Sequence, residues 1–435
     1  MNKIWIPLCF LLVVLGCETK KATNNEKELA EKILNNQEFE VVKNNAIEVV
    51  KTGFNAGDGY GEVWIRDYNT FIELSAEVFD AKDLEENLLV FFRLQGEDGN
   101  IIDGFIPKEK AVPTEGGYQY IYSDLEPNYC GHKNTVETDH ESSLVQAVYK
   151  YIKKTGNSNF LEKVVGSYTV SERMEMAMDF LMKHRFSEKF GLIYGATTAD
   201  WGDVQHSDPW GVSIDENTHF CVDIYDNAMF IIALDNMMEL LPKTKKKWQE
   251  IRNLIAKNTM KVLWDSDNQK FIPHVYLERS PYPADFNENE IYYHGGTAVA
   301  IQAGLLNKKQ ISIALQKMIA NVNESGAGSI GLTMYPPYPA WAFENKGMYP
   351  YGYQNGGDWT WFGGRMILGL IDNGFIKEAY EQLLPMTARV VKNNGFFEWY
   401  TVTNEPKGSG TFRGSAGVLY LSIEKLENWA KNQEN

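Results

Sequence analysis

Apolar residues recur at helical spacing in twelve stretches, at about 27–52, 67–80, 82–95, 139–156, 160–185, 220–241, 245–264, 292–306, 309–323, 359–373, 376–393 and 413–431. Stop signals separate several of them: Gly156-Asn157, Leu241-Pro242 and Asn373-Gly374. Between the helices lie long loops rich in aromatic residues, Gly and Pro. No run of βαβ units is present, which argues against a doubly wound sheet or a TIM barrel. No composition shift marks a domain boundary, and no short period repeats. Twelve helices in one unbroken body pair into six hairpins. Six hairpins can close into an all-α (α/α)6 toroid with loops forming a cleft at one end. An open helical solenoid is the alternative.

The N-terminus has a pattern of its own. Lys3 precedes an apolar run of 12 residues, Ile4 to Leu15, too short to span a bilayer and suited to a signal sequence. It ends in Val14-Leu15-Gly16-Cys17, which resembles a bacterial lipobox with Cys17 as the lipidated residue. The expected organisation is a lipoprotein signal over 1–17, a flexible polar tether over 18–27 and a single catalytic domain over 28–435. The expected place is the bacterial cell envelope, periplasmic or on the outer-membrane surface, with membrane contact through the lipid anchor only.

Charge and composition narrow the partners. Lys+Arg total 42 against 58 Asp+Glu, a formal charge of -16, which argues against a nucleic-acid partner. Aromatic residues reach 13%, enough for an aromatic core, for flat surfaces on which sugar rings stack, or for both. Cys130 and Cys221 could pair in an oxidising compartment, and no CxxC is present.

Four loop segments carry candidate chemistry. In Gly61-Glu62-Val63-Trp64-Ile65-Arg66-Asp67-Tyr68, Asp67 is either a helix N-cap or, with Arg66, a binder of sugar hydroxyls. In Ala199-Asp200-Trp201-Gly202-Asp203, an indole beside a carboxyl would desolvate it and raise its pKa toward that of a general acid. Tyr353-Gln354-Asn355-Gly356-Gly357-Asp358-Trp359-Thr360-Trp361, followed by Arg365, combines amides, a carboxylate, two indoles and a guanidinium. In Phe396-Phe397-Glu398-Trp399-Tyr400, a carboxylate sits among aromatics, where it needs a partner or a task. A GxGxxG match at Gly326–Gly331 follows a helix rather than a strand and is set aside. Cys130, His132, Asp139 and His140 fit no standard zinc spacing, so no metal site is expected.

The order of these segments resembles the inverting glycoside hydrolases with six-hairpin barrels: glycoside hydrolase family 63, the trehalases and the glucosidase domain of glycogen debranching enzymes. Glu62-Val63-Trp64-Ile65-Arg66-Asp67 is similar to their early Trp-x-Arg-Asp segment, which lines the subsite of the cleaved sugar. Thr138-Asp139-His140-Glu141 resembles their helix opening with Asp, and Ala199-Asp200-Trp201 their short element holding the general acid. Phe396-Phe397-Glu398-Trp399-Tyr400 with Gly414-Ser415-Ala416-Gly417 resembles the pair that carries their general base. The chain departs from the pattern at Thr401-Val402, at Gly414 and over Gln354–Gly357, so no single family's substrate carries over.

The resemblance implies a glycosidase acting on an α-linked glycan, an α-glucoside or α-mannoside, with inversion. Asp200 would be the acid, with Asp203 as a second fit to that position, and Glu398 the base, across about 6.5–9.5 Å. Trp64, Arg66, Asp67, Asp139, Trp201, Asn355, Asp358, Trp359, Trp361, Arg365 and Trp399 are the expected substrate contacts. The chemistry calls for no cofactor. The rival reading is a non-catalytic glycan-binding lipoprotein, which would keep the aromatics but not need both Asp200 and Glu398. A sugar epimerase would favour paired His bases, and a polysaccharide lyase would favour a basic cleft.

Overall fold

The computed structural model describes residues 22–112 and 119–433. The signal segment and Cys17 lie outside the described residues. Six helices touch in a closed cycle: α3 (Ile65–Ser75), α5 (His140–Thr155), α7 (Ile224–Leu240), α9 (His294–Gln302), α11 (Thr360–Asp372) and α13 (Arg413–Lys431). Each packs on the next, and α13 returns to α3, so the stack closes on itself instead of running on as a solenoid. The other helices flank this cycle. They are α2 (Gln37–Val50) on α13, α4 (Ala81–Arg93) and α6 (Val170–His184) on α5, α8 (Lys245–Val262) on α7, α10 (Lys308–Ser325) on α9 and α12 (Ile376–Asn393) on α11. A further N-terminal helix, α1 (Asn24–Leu34), packs on α13.

Side-chain pattern explains which helices lie inside. In α9 every residue from His294 to Ile301 is buried, and α7 buries eleven positions around its circumference. Helices apolar all round belong in a core. On α8 only Trp248, Ile255 and Thr259 are buried, one stripe of an otherwise charged helix. The apolar core runs continuously through the inner helices and their flanking partners.

Several element boundaries differ from the sequence expectation, each for a local reason. The stretch 27–52 divides because Asn36 caps α2, its side chain accepting from the Glu38 N–H at 3.0 Å. Residues 24–27 belong to α1 and not to a tether, since Thr23 and Glu26 form a capping box. The stretch 160–185 opens with a 3-10 turn and a short hairpin, and α6 starts only where Thr169 and Glu172 form a second box. The chain is helix-rich, as expected, with short strands beside the helices. The loops carry small antiparallel sheets, the largest with strands β1 (Val63–Trp64), β2 (Gly104–Pro107), β3 (Ile121–Ser123) and β4 (Glu126–His132) in the order β1-β2-β4-β3. The sequence leaves open whether Cys130 and Cys221 pair; they sit in different sheets as buried free thiols and do not pair. Among the described residues no helix is long and apolar enough to cross a membrane.

Candidate active site

The starts of α3, α5, α11 and α13 meet at one cavity of about 160 Å³. Helix N-termini carry partial positive charge, and carboxyls gather there. Asp67, Asp103, Glu137, Asp203 and Glu398 all line it, with Arg66 as the guanidinium among them. Trp64, Trp201, Trp359 and Trp361 form much of the aromatic wall.

Arg66 is fixed before any ligand arrives. Its Nε and Nη2 donate to the two Asp139 oxygens at 2.8 and 2.9 Å, and Nη1 donates to the Trp201 carbonyl at 3.1 Å. Nη2 also lies 2.5 Å from Glu137 Oε1. The Tyr225 hydroxyl donates to Asp139 Oδ2 at 2.6 Å. Burial works against charge on Asp139, but Arg66 prevails and holds that carboxyl well below the usual range. Asp139 is fully buried and does not line the cavity; it positions Arg66. Burial pushes Glu137 up to about 8, with Arg66 opposing and Asp139 and Asp103 reinforcing the rise. Asp67 is likewise pushed up to about 8 by burial, against the pull of Arg66. It is not a cap: α3 starts at Ile65, two residues earlier.

The two carboxyls with candidate acid–base roles have different surroundings. Glu398 accepts from the Tyr60 hydroxyl at 2.9 Å and the Ser409 N–H at 3.2 Å, two donors that favour its ionised form. Burial still raises its pKa. Gly408, at φ +70°, leaves room for this carboxylate, since a Cβ there would meet Glu398 Oε2 at 2.3 Å. Asp203 is pushed up to about 6, by burial first and Glu137 second. Its Oδ1 is buried without a hydrogen-bond partner in the protein. Its backbone N–H donates to Gln354 Oε1 at 3.2 Å, and its carbonyl accepts from Asn134 Nδ2 at 2.9 Å.

Asp200, the first choice for the acid from sequence, does not line the cavity. It sits at φ 55° in a reversing turn that carries its carboxylate to the start of α9, where Oδ1 accepts from the Gly296 N–H at 2.8 Å. The expected desolvation is present, because burial raises its pKa strongly, but access is not. Asp200 anchors the loop, and Asp203 faces the cavity. Beside it Trp201 stacks on Phe362 at 4.3 Å and 15° and touches Trp359 and Trp361 edge-on. Gly295 makes this possible, since a Cβ there would meet the Trp201 ring at 2.3 Å.

Four other expected contacts lie elsewhere. Asn355 is consumed within its own loop, accepting from the Tyr338 N–H at 2.7 Å and donating to the Tyr338 and Met348 carbonyls. Asp358 forms a buried ion pair with Arg389 and accepts from Ser329. Arg365 faces a second cavity at the opposite ends of the ring helices, bonded to Gln302 Oε1 and the Met229 sulfur. Trp399 is buried beside Tyr353.

Conversely, Tyr60, Asp103, Asn134 and Glu137 line the cavity without having stood out in sequence, whereas Tyr353 and Gln354 line it from a segment that did. The first four are single polar residues in loops, and only the flanking Asp139-His140 gave a signal near Glu137. Asp103, Glu137 and His140 offer ligand atoms within 4.8 Å of one another. Each is already engaged: Glu137 by Arg66 and by His140 Nε2 at 2.7 Å, and Asp103 by the Asn134 N–H at 2.8 Å and by His132. A guanidinium 2.5 Å from Glu137 competes with any cation there.

No family model and no curated protein matches this chain. Solved structures do. A family 63 mannosylglycerate hydrolase from Thermus thermophilus, in complex with glucose, superposes with a TM-score of 0.63 at 16% identity, over 87% of this chain and 99% of that one. A rhamnosidase from Klebsiella oxytoca with rhamnose bound gives 0.58 at 12% identity, over 90% of this chain and 64% of that one. A family 78 rhamnosidase of a Bacillus species gives 0.57 at 14% identity, over 88% and 34%.

Proposed function

From a chain that shares the fold of family 63 and family 78 glycoside hydrolases, we propose a glycosidase that hydrolyses an α-linked sugar with inversion. On this reading the cycle of inner helices and its flanking helices form an (α/α)6 toroid whose N-terminal mouth is the active-site cleft.

One observation carries the proposal. Three indole N–H groups of the cavity wall, on Trp64, Trp201 and Trp361, are buried with no acceptor in the protein, and Asp203 Oδ1 is buried with no donor. Buried polar groups of folded proteins are mostly paired. Flat rings bearing unspent donors, beside carboxyls, suit a polyhydroxylated ring.

Asp203, carrying its proton, gives it to the glycosidic oxygen as the bond to the anomeric carbon breaks. Glu398, ionised under its two donors, takes a proton from the water that attacks that carbon. Arg66 and Asp67 hold ring hydroxyls. No step calls for a metal or an organic cofactor.

The test is turnover by the chain from residue 18 onward, which keeps every described residue, on α-linked glucosides, mannosides, galactosides and rhamnosides. Sugar release that Glu398→Gln abolishes is expected. Tight binding of a panel sugar by both proteins with no release would favour the non-catalytic glycan-binding reading. Placement in the cell envelope is part of the proposal: Cys17→Ser should move the protein from the membrane to the soluble fraction, and an unchanged distribution would contradict the anchor.

A further inference from the structure

Most Trp side chains among the described residues are buried or half-buried. Trp210 and Trp341 are the exposed ones, at 53% and 51%. They lie on two loops that are tied together. The Asn345 side-chain amide donates to the Pro209 carbonyl at 2.9 Å, the Glu344 N–H donates to the His206 carbonyl at 3.1 Å, and the His206 ring contacts the Ala342 carbonyl.

Both loops are built to stay in place. The first is closed by the Gln205 N–H donating to the Gly211 carbonyl at 2.9 Å, with the Trp210 and Gly211 N–H groups both on Asp208 Oδ1 at 2.7 Å. Its base is Asp203. Trp341 packs edge-on against Phe286 at 5.2 Å and against Tyr282 at 6.2 Å, above a small aromatic core of its own. Tyr349, also exposed at 49%, lies over Gly352, where a Cβ would meet its ring at 2.6 Å. The next residue, Tyr353, lines the cavity.

Exposed indoles cost hydration, and an isolated one needs no explanation. Two on loops joined by hydrogen bonds, one seven residues beyond the cavity-lining Asp203 and the other twelve before the cavity-lining Tyr353, are not isolated. Indole faces stack on the C–H faces of sugar rings. The flanking carboxylates Asp208, Asp285 and Glu344 outnumber the flanking Lys346, which disfavours an anionic polymer.

We propose that Trp210 and Trp341 form a binding platform for a neutral glycan chain extending out of the cavity, so that the substrate is an oligosaccharide or polysaccharide longer than two residues. This rests on the glycosidase reading for its substrate and on the loop geometry for its position.

The test is affinity electrophoresis of the chain from residue 18 onward in native gels containing soluble starch or α-mannan. The variants are Trp210→Ala, Trp341→Ala and their pair, with Tyr168→Ala as an exposed-aromatic control on a distant hairpin. Kinetics on a short aryl glycoside run alongside. The expected result is retardation of the parent chain and the control by at least one polymer, weakened about tenfold in the double variant. Rates on the aryl glycoside should stay within about twofold. No retardation by either polymer, or equal retardation of the double variant, would overturn the platform. If no glycoside is turned over but the indole-dependent retardation persists, the platform stands and the hydrolase reading fails.

Discussion

Replacing Asp203 with Asn separates the two acidic residues of its loop. The Asp203 carboxyl is pushed up to about 6 by burial and by Glu137. With that value it is protonated in about ten molecules of eleven at pH 5 and in about one of eleven at pH 7, so kcat/KM should fall about tenfold across that interval. Asn has no acidic proton to give. General-acid assistance contributes about 10²–10⁴ in rate, roughly 3–5 kcal/mol of barrier. Asp203→Asn should therefore lose that factor on an alkyl glycoside and lose the alkaline limb of the profile. On a dinitrophenyl glycoside, whose leaving group needs no proton, the loss should stay below about tenfold. Asp200→Asn is the comparator: an amide oxygen can still accept from the Gly296 N–H, so a folded Asp200→Asn should keep the profile. The assay is kcat/KM from pH 4 to 9 on both substrates, with circular dichroism to establish folding. An Asp203→Asn variant with the parent's rate and limb, or an Asp200→Asn variant that is folded but inactive on alkyl glycosides alone, would refute the assignment.

Other expectations follow from the same geometry. Gly408→Ala puts a methyl 2.3 Å from Glu398 Oε2 at a position with φ +70°, so kcat should drop by about 10²-fold or more while the far-UV spectrum is kept. Tyr60→Phe removes a donor that holds the Glu398 pKa down, so the acid limb of the pH–rate profile should shift to higher pH; an unmoved limb would count against Glu398 as base. Asp67, buried and pushed up to about 8, keeps its proton in the folded chain where the unfolded chain, at about 3.9, has lost it. Its contribution to stability is full below about pH 4 and is lost as pH rises to about 8. Thermal unfolding midpoints should decline over that window, and less steeply in Asp67→Asn.

Much of the helical architecture is legible in sequence because outer helices show one apolar stripe and inner ones are apolar all round. The stretches 376–393 and 413–431 coincide with α12 and α13. The small sheets are not legible: most strands have two residues, too few for a period of two to register. At the site, Trp64, Arg66, Asp67, Trp201 and Glu398 are visible because indoles and charges cluster in short segments. Tyr60, Asp103 and Glu137 are not, since each is a lone polar residue that the fold brings in from a distance. Spacing also cannot separate Asp200 from Asp203. A left-handed turn at Asp200 sends one carboxyl to the start of α9 and the other to the cavity. Asn355, Asp358 and Arg365 show the converse, since polar residues in an aromatic segment can be spent on structural bonds: Asn355 within its own loop, Asp358 with Arg389 on α12 and Arg365 with Gln302 on α9.

The most direct measurement is anomer-resolved NMR of the first product released from an α-glycoside by the chain from residue 18 onward, with Glu398→Gln in parallel. The expected result is the β-anomer at early times from the parent chain and no product from the variant. First release of the α-anomer would contradict the acid–base roles of Asp203 and Glu398.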